Sequence, residues 1–234
     1  VRGFAPDLLG TQETLAFQRD ELLAALPGFA TVAAGRDDGA EAGEMAAVLY
    51  RRDRFDLLDS GHLWLSETPA VVGSRSWDAA LPRIATWAKL RDRTAPDAPP
   101  ILFLNTHFDH VGRQARLESA RLIRRSLTDL GNDCRLVVTG DFNAAEGSPP
   151  YAALFAAAAD PVQLIDTYRA AVPEPAGSEG TFNSFDPGGT AGGRIDWIGC
   201  SPDWQVVAAA IDRTVIAGRT PSDHWPVTAI LTPH

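Results

Sequence analysis

Five apolar runs in this chain end on an acid, an amide or an imidazole: Gln12-Glu13, Asn105-Thr106-His107, Gly140-Asp141-Phe142-Asn143, Arg194-Ile195-Asp196 and Ser222-Asp223-His224. The end of a strand fixes a side chain more firmly than a loop tip does, so it suits groups that must be placed for chemistry. If the five ends converge, they bring together four carboxylates: Glu13, Asp141, Asp196 and Asp223. Like charges in a low dielectric repel or raise one another's pKa, and a divalent cation relieves both. An oxygen-donor set without cysteine suits Mg²⁺ or Mn²⁺ better than a structural Zn²⁺. Two histidines complete what phosphoester hydrolysis needs: a base for water, a donor for the phosphoryl oxygens and a cation to draw off charge. Taken singly, each residue has a structural explanation. Glu13 suits a helix N-terminus, Asp141 and Asn143 a turn, Asp223 a turn before Pro226, and His107 a core site with its ring satisfied. Five polar strand ends in one chain outweigh these separate explanations.

The elements that would carry these residues follow from period and punctuation. Leu8 to Gln12 reads as a buried strand, followed by a helix from about Leu15 to Leu26 that Pro27-Gly28 stops. Strands are expected at Phe29–Ala33, Met45–Tyr50 and Phe55–Leu58, with a solvated loop over Arg36–Glu44 and a long connection over Ser66–Pro82. Alternation over Arg83–Arg91 and the apolar run Ile101–Thr106 predict two more strands. Ala120, Ile123, Leu127 and Leu130 share one helical face, which leaves Arg113, Arg116, Arg121, Arg124 and Arg125 as a solvated exterior. Leu136–Thr139 predicts a strand, Tyr151–Ala159 a helix and Val172–Gly193 a long loop. Ile195–Gly199, Val206–Ile211 and Val227–Leu231 predict the last strands. Strands outnumber helices and come both hairpin-linked and helix-linked, which points to one layered α/β domain with mixed sheets packed face to face and helices outside.

Composition sets outer limits. The 234 residues, 45% hydrophobic and 22% charged, are those of an ordinary globular chain without repeats or an evident linker. The net charge of −9 provides no basic field for a phosphate backbone, which weighs against a packaging protein but not against an enzyme that meets phosphate through a bound cation. Cys134 and Cys200 are too few for a disulfide scaffold and read as two buried free thiols. No apolar run approaches the roughly 18 residues of a membrane-spanning helix, and no protein partner is evident. The start at Val1 leaves localisation open.

The series Gln12-Glu13, Asn105-Thr106-His107, Gly140-Asp141-Phe142-Asn143, Arg194-Ile195-Asp196-Trp197 and Ser222-Asp223-His224-Trp225-Pro226 resembles the endonuclease/exonuclease/phosphatase superfamily, in order and over almost the whole chain. Gly73-Ser74-Arg75-Ser76-Trp77-Asp78-Ala79-Ala80 and Thr106-His107-Phe108-Asp109-His110-Val111-Gly112 resemble a bacterial subgroup of it. The resemblance implies a deoxyribonuclease-I-like fold over residues 1–234, a four-layered α/β sandwich with two mixed sheets face to face. It also implies roles: Glu13 as principal metal ligand with Asp223 near the metal, and Asp141 positioning or deprotonating the attacking water. Asn143 would hold a phosphate oxygen, and His224, oriented by Asp196, would act as acid/base. His107 would donate to a non-bridging oxygen, and Arg83 would approach the phosphate. The family's first strand carries an Asn ligand with no counterpart before Glu13, so that strand is expected upstream of Val1.

The activity expected is divalent-metal-dependent phosphoester hydrolysis of phosphodiesterase or nuclease type, by in-line attack of water. The alternatives are a phosphomonoesterase on inositol or sugar phosphates, or a catalytically silent module that binds phosphorylated ligands. Nucleic acid, lipid and sugar phosphates all remain open as substrates. Trp77, Phe182, Phe185 and Trp225 are candidates to stack on a base or ring, although core packing is the commoner use of such residues.

Overall fold

A computed structural model of the chain describes residue 1, residues 3–156 and residues 161–234. In chain order the elements are β1 (Leu8–Thr14), α1 (Ala16–Ala25), β2 (Phe29–Val32), β3 (Met45–Arg51), β4 (Phe55–Trp64), β5 (Ile84–Asp92) and β6 (Ile101–His107). There follow α2 (Arg113–Leu130), β7 (Arg135–Asp141), α3 (Pro149–Phe155), β8 (Ile165–Asp166), α4 (Thr167–Ala171), β9 (Asp196–Cys200), β10 (Trp204–Ile211) and β11 (Val227–Pro233).

Six strands form one mixed sheet in the order β4-β5-β6-β7-β9-β8. Its one parallel pair, β6 with β7, is bridged by α2, the long crossover that parallel neighbours require. Both faces of β6 are covered, which is why it is apolar throughout and does not alternate. Leu102 and Leu104 pack with Val138 against Ala120, Ile123 and Leu127 of α2. Phe103 faces the other way, with Leu90, Val137, Val48 and Trp204. That second layer has two parts, an antiparallel sheet β1-β3-β2 and an antiparallel pair β10-β11. α1 lies outside the three-stranded part, over Phe29, Met45 and Leu49. Two mixed sheets were expected; the chain forms one mixed sheet opposed by two antiparallel groups, because β1 and β11 are not hydrogen-bonded to each other.

Asn105 joins the layers. Fully buried, it donates to the carbonyls of Thr11 and Ala47 and accepts from Gln12 Nε2 and Thr139 Oγ1. The approach is so close that a Cβ at Gly10 would collide with Thr139 Oγ1 and Asn105 Oδ1. This amide therefore fixes β1 against β6 and β7, whose ends carry the polar residues.

Other departures are local. β4 runs to Trp64, well past the expected Leu58, because pairing with β5 outweighs its exposed and polar middle. α3 ends at Phe155, and residues 157–160 of the predicted helix lie outside those described. The short β8 and α4 had no periodic signal. Arg124 is buried rather than exterior, and its guanidinium donates to Leu154 O at 2.5 Å, one of the carbonyls left open at the end of α3. Cys200 is a buried free thiol; Cys134, also free, is only half-buried. No helix of the described residues is long and apolar enough to cross a membrane.

Candidate active site

Strand register assembles the centre of the site. The parallel β6–β7 ladder places His107 opposite Asp141, and the antiparallel β7–β9 ladder places Asp141 opposite Asp196. Residues directly opposite share a face, so three neighbouring strand ends present an imidazole and two carboxylates side by side. His224, just before β11, closes the group: its Nδ1 donates to Asp196 Oδ2 at 2.9 Å, and its Nε2 lies 3.9 Å from Asp141 Oδ2. His107 Nε2 lies 3.3 Å from the same Asp141 oxygen. Asp141 thus sits between two imidazoles.

The electrostatics follow from burial and these neighbours. Burial, and then the charge of Asp196, raises the Asp141 carboxyl to about 7, although His224 and the Asn143 N–H oppose the shift. Burial alone would lower His224; the hydrogen bond and charge of Asp196, with the charges of Asp141 and Asp223, carry it up to about 9. Burial and the nearby Arg83 guanidinium push His107 the other way, well below the ordinary histidine value. At neutral pH the site therefore pairs an imidazolium and a neutral imidazole with a carboxyl poised near its own pKa, the separation that acid–base work requires.

His107 is also fixed in tautomer. Arg83 Nη1 lies 3.0 Å from His107 Nδ1 and can only donate, so the ring proton resides on Nε2. Nε2 faces the Asn143 amide nitrogen at 3.1 Å and Asp141 Oδ2, and of the two only the carboxylate can accept. Asn143, at φ +47°, donates its side-chain amide to Phe108 O and its backbone N–H to Asp141 Oδ1, an Asx turn that a short amide tolerates in the left-handed region. Arg83 is only 5% exposed, and both its terminal amino groups are committed to histidine rings. It reaches the site through those rings.

Glu13 enters by a different device. The β1–β3 register breaks between Thr11 and Thr14, and Glu13 within this bulge has φ +54°. A bulge re-aims a side chain, and a left-handed glutamate holds strain that its surroundings must support. Its carboxylate is exposed and lies with those of Glu44 and the ring of His107, one potential ligand atom of each within 4.8 Å of the others. Since Arg83 occupies the lone pair of His107 Nδ1 and the proton sits on Nε2, the donors left for a cation are carboxylate oxygens, which fit a hard divalent ion. Glu44 also pairs with Arg36 at 2.6 Å. A second such group, Asp141, Asp196 and His224, is the acid–base cluster itself. Asp223 belongs to neither. Its carbonyl accepts from Asn183 and Ser184, and its charge acts on His224.

Several of these placements have no signature in the sequence. Glu44 ends a solvated acidic loop and is indistinguishable there from its neighbours. Arg194 is 2% exposed and donates to Asp166 Oδ2 and Glu146 Oε2, while Arg169 bridges Glu146 and Glu179. This network braces the segments after Asn143 and before Asp196; the Arg-Ile-Asp tripeptide was its only trace. Among the aromatics, Trp225 is buried and donates to Gly189 O. Phe182, exposed, sets its ring edge-on to His224 at 5.2 Å, and Phe185 is more exposed still.

Known proteins are similar to this chain over nearly its whole length. The Endonuclease/Exonuclease/phosphatase family model matches residues 1–224. An endonuclease/exonuclease/phosphatase family protein of Bacteroides thetaiotaomicron is 37% identical with a TM-score of 0.88, over 99% of this chain and 85% of that one. A mannosyl-6-phosphatase of the same bacterium is likewise 37% identical, with a TM-score of 0.87 over 99% of this chain and 87% of that one. The human nocturnin catalytic domain, at 18% identity and a TM-score of 0.74 over 100% and 83% of the two chains, shares the fold. No curated protein matches. With the motif order, the register that joins His107, Asp141 and Asp196, and likeness along nearly its whole length, this chain belongs to the endonuclease/exonuclease/phosphatase family of hydrolases acting on phosphoester bonds.

Proposed function

We propose that the protein is a Mg²⁺- or Mn²⁺-dependent phosphatase that releases phosphate from a sugar phosphate. The observation that carries the reading is Asp141 held between a neutral and a protonated imidazole, in a chain 37% identical to a mannosyl-6-phosphatase. The net charge of −9 weighs against a long polyanionic substrate, which favours a small phosphomonoester over the nuclease expectation. We read the layering as the family's four-layered sandwich, with its second sheet carried by two groups of strands.

In this reading Glu13, with Glu44 beside it, holds the cation, and Asp223 supplies charge behind His224. The cation would draw charge from the phosphoryl oxygens. Asp141, ionised above about 7, takes the proton from the attacking water. His107 offers its Nε2–H to a non-bridging oxygen as the phosphorane develops, turning from Asp141 to do so. Asn143 steadies a second oxygen. His224, protonated by virtue of Asp196, gives its proton to the departing alkoxide. Arg83 keeps His107 in the donating tautomer.

The test offers the protein mannose 6-phosphate, bis-p-nitrophenyl phosphate, single-stranded RNA and DNA, each with Mg²⁺, Mn²⁺ or EDTA. Metal-dependent phosphate release from the sugar phosphate, at a kcat/KM at least about tenfold above the diester, is expected. Faster diester cleavage returns the nuclease-type assignment, and no turnover of any ester leaves a silent binding module.

A further inference from the structure

One guanidinium serves two imidazoles. Arg83 donates through Nη1 to His107 Nδ1 and through Nη2 to His110 Nδ1 at 2.9 Å. Arginine carries no acceptor, so each ring accepts at Nδ1 and a neutral ring keeps its proton on Nε2. His107 spends that proton on Asp141. His110 is exposed, and its Nε2–H has no partner among the described residues. The planar fork of the guanidinium holds the two rings side by side, so the mouth of the site carries one pre-oriented donor that hydrolysis of the phosphate does not use.

Beside His110 stands a strapped loop. The Asp109 carboxylate accepts from the N–H groups of Ala80 and Leu81 on that loop and from those of Val111 and Gly112 on its own. Asp78 reaches from the loop to Gln114 and Ala115 at the start of α2. Immediately before the Asp78 strap the chain presents Trp77, half-buried at φ +55°, a conformation that a bulky residue adopts only under constraint. Its indole has neither a hydrogen-bond nor a ring partner among the described residues. Leu81 and Val111, both exposed, belong to the strapped segments, each giving its N–H to Asp109.

The geometry points to a subsite for the alcohol part of the substrate, in which His110 Nε2–H donates to a ring hydroxyl and the Trp77 indole lies against the apolar C–H face of a sugar. A fixed imidazole donor and an unpaired aromatic, on two segments that meet where Gly112 lies against Asp78, match a polyol, which offers hydroxyls at its edge and C–H groups on its face. This assignment rests on the sugar-phosphate reading above.

The experiment compares kcat/KM for mannose 6-phosphate with that for p-nitrophenyl phosphate, which has no hydroxyl to recognise. His110→Ala should lower the ratio of the two by about 3–10-fold, the range for one neutral hydrogen bond. His110→Gln, whose amide can accept from Arg83 and donate outward, should restore most of the ratio. Trp77→Ala should lower it as well. An unchanged ratio in His110→Ala overturns the subsite, whether both rates fall together, as a purely structural contact to Arg83 would cause, or neither moves. Calorimetry of the Mg²⁺-supplied protein with mannose 6-phosphate against inorganic phosphate reads the same ratio as affinities. It decides the subsite even if the protein turns over no ester, the outcome that would instead remove the phosphatase reading.

Discussion

Asp141 and Asp196 face each other across β7 and β9, and the Asp141 carboxyl is raised while Asp196 is paired with His224 Nδ1 at 2.9 Å. Two acids of the same type thus take different parts: Asp196 is the direct hydrogen-bond partner of the His224 imidazolium, whereas Asp141 is raised by burial and by the charge of Asp196. Asp196 supports the imidazolium, and Asp141 is left to exchange a proton.

Asp196→Asn should therefore slow turnover by roughly 10²–10⁴, the scale of general acid–base catalysis. The alkaline limb of the pH–rate profile should move down from about 9, since an amide cannot stabilise the His224 cation. Metal affinity should change much less. An unshifted limb at full rate would remove Asp196 from its positioning role.

Glu13→Gln should weaken Mg²⁺ or Mn²⁺ binding by more than the ~10–100-fold typical of residues behind the ligands, read by calorimetry. Glu44→Gln should weaken it less, because that carboxylate is shared with Arg36. Equal affinity in Glu13→Gln and the parent would place the cation elsewhere.

Asn105→Ala should destabilise the fold by more than about 3 kcal/mol, since two backbone carbonyls, Gln12 and Thr139 lose their partner in a buried position. Urea denaturation reads the loss. A cost below about 1 kcal/mol would mean that the interlayer amide is dispensable.

Asp109 gives a pH-dependent contribution. Burial would raise its carboxyl, but the N–H groups of Gly112, Ala80, Val111 and Leu81 more than offset this and lower it to about 2. A pKa depressed on folding contributes stability in full above the unfolded value near 4 and loses it as pH falls towards 2. The contribution is about 2 kcal/mol, for a side chain 1% exposed. The stability difference between the parent and Asp109→Asn should accordingly shrink from pH 5 to pH 2; a difference that stays level would show that the four hydrogen bonds do not depend on its charge.

The sequence by itself determined where the chemistry-bearing residues stand along the chain. Apolar runs with a period of two or none mark the strands, and the polar residue that ends each run, His107 or Asp141, is visible without coordinates, since strand period and termination are local properties. The same locality placed Asn105 at a polar strand end but gave no sign that its four hydrogen bonds hold the layers together. It also left Glu44 unnoticed in an acidic loop. What only the tertiary structure decided is which ends meet, and in what state. The register that sets His107, Asp141 and Asp196 abreast, the bulge that turns Glu13 outward and the arginine shared by His107 and His110 all join residues far apart in sequence. Their geometry depends on hydrogen bonds between strands and on burial, and the local pattern of residues encodes neither.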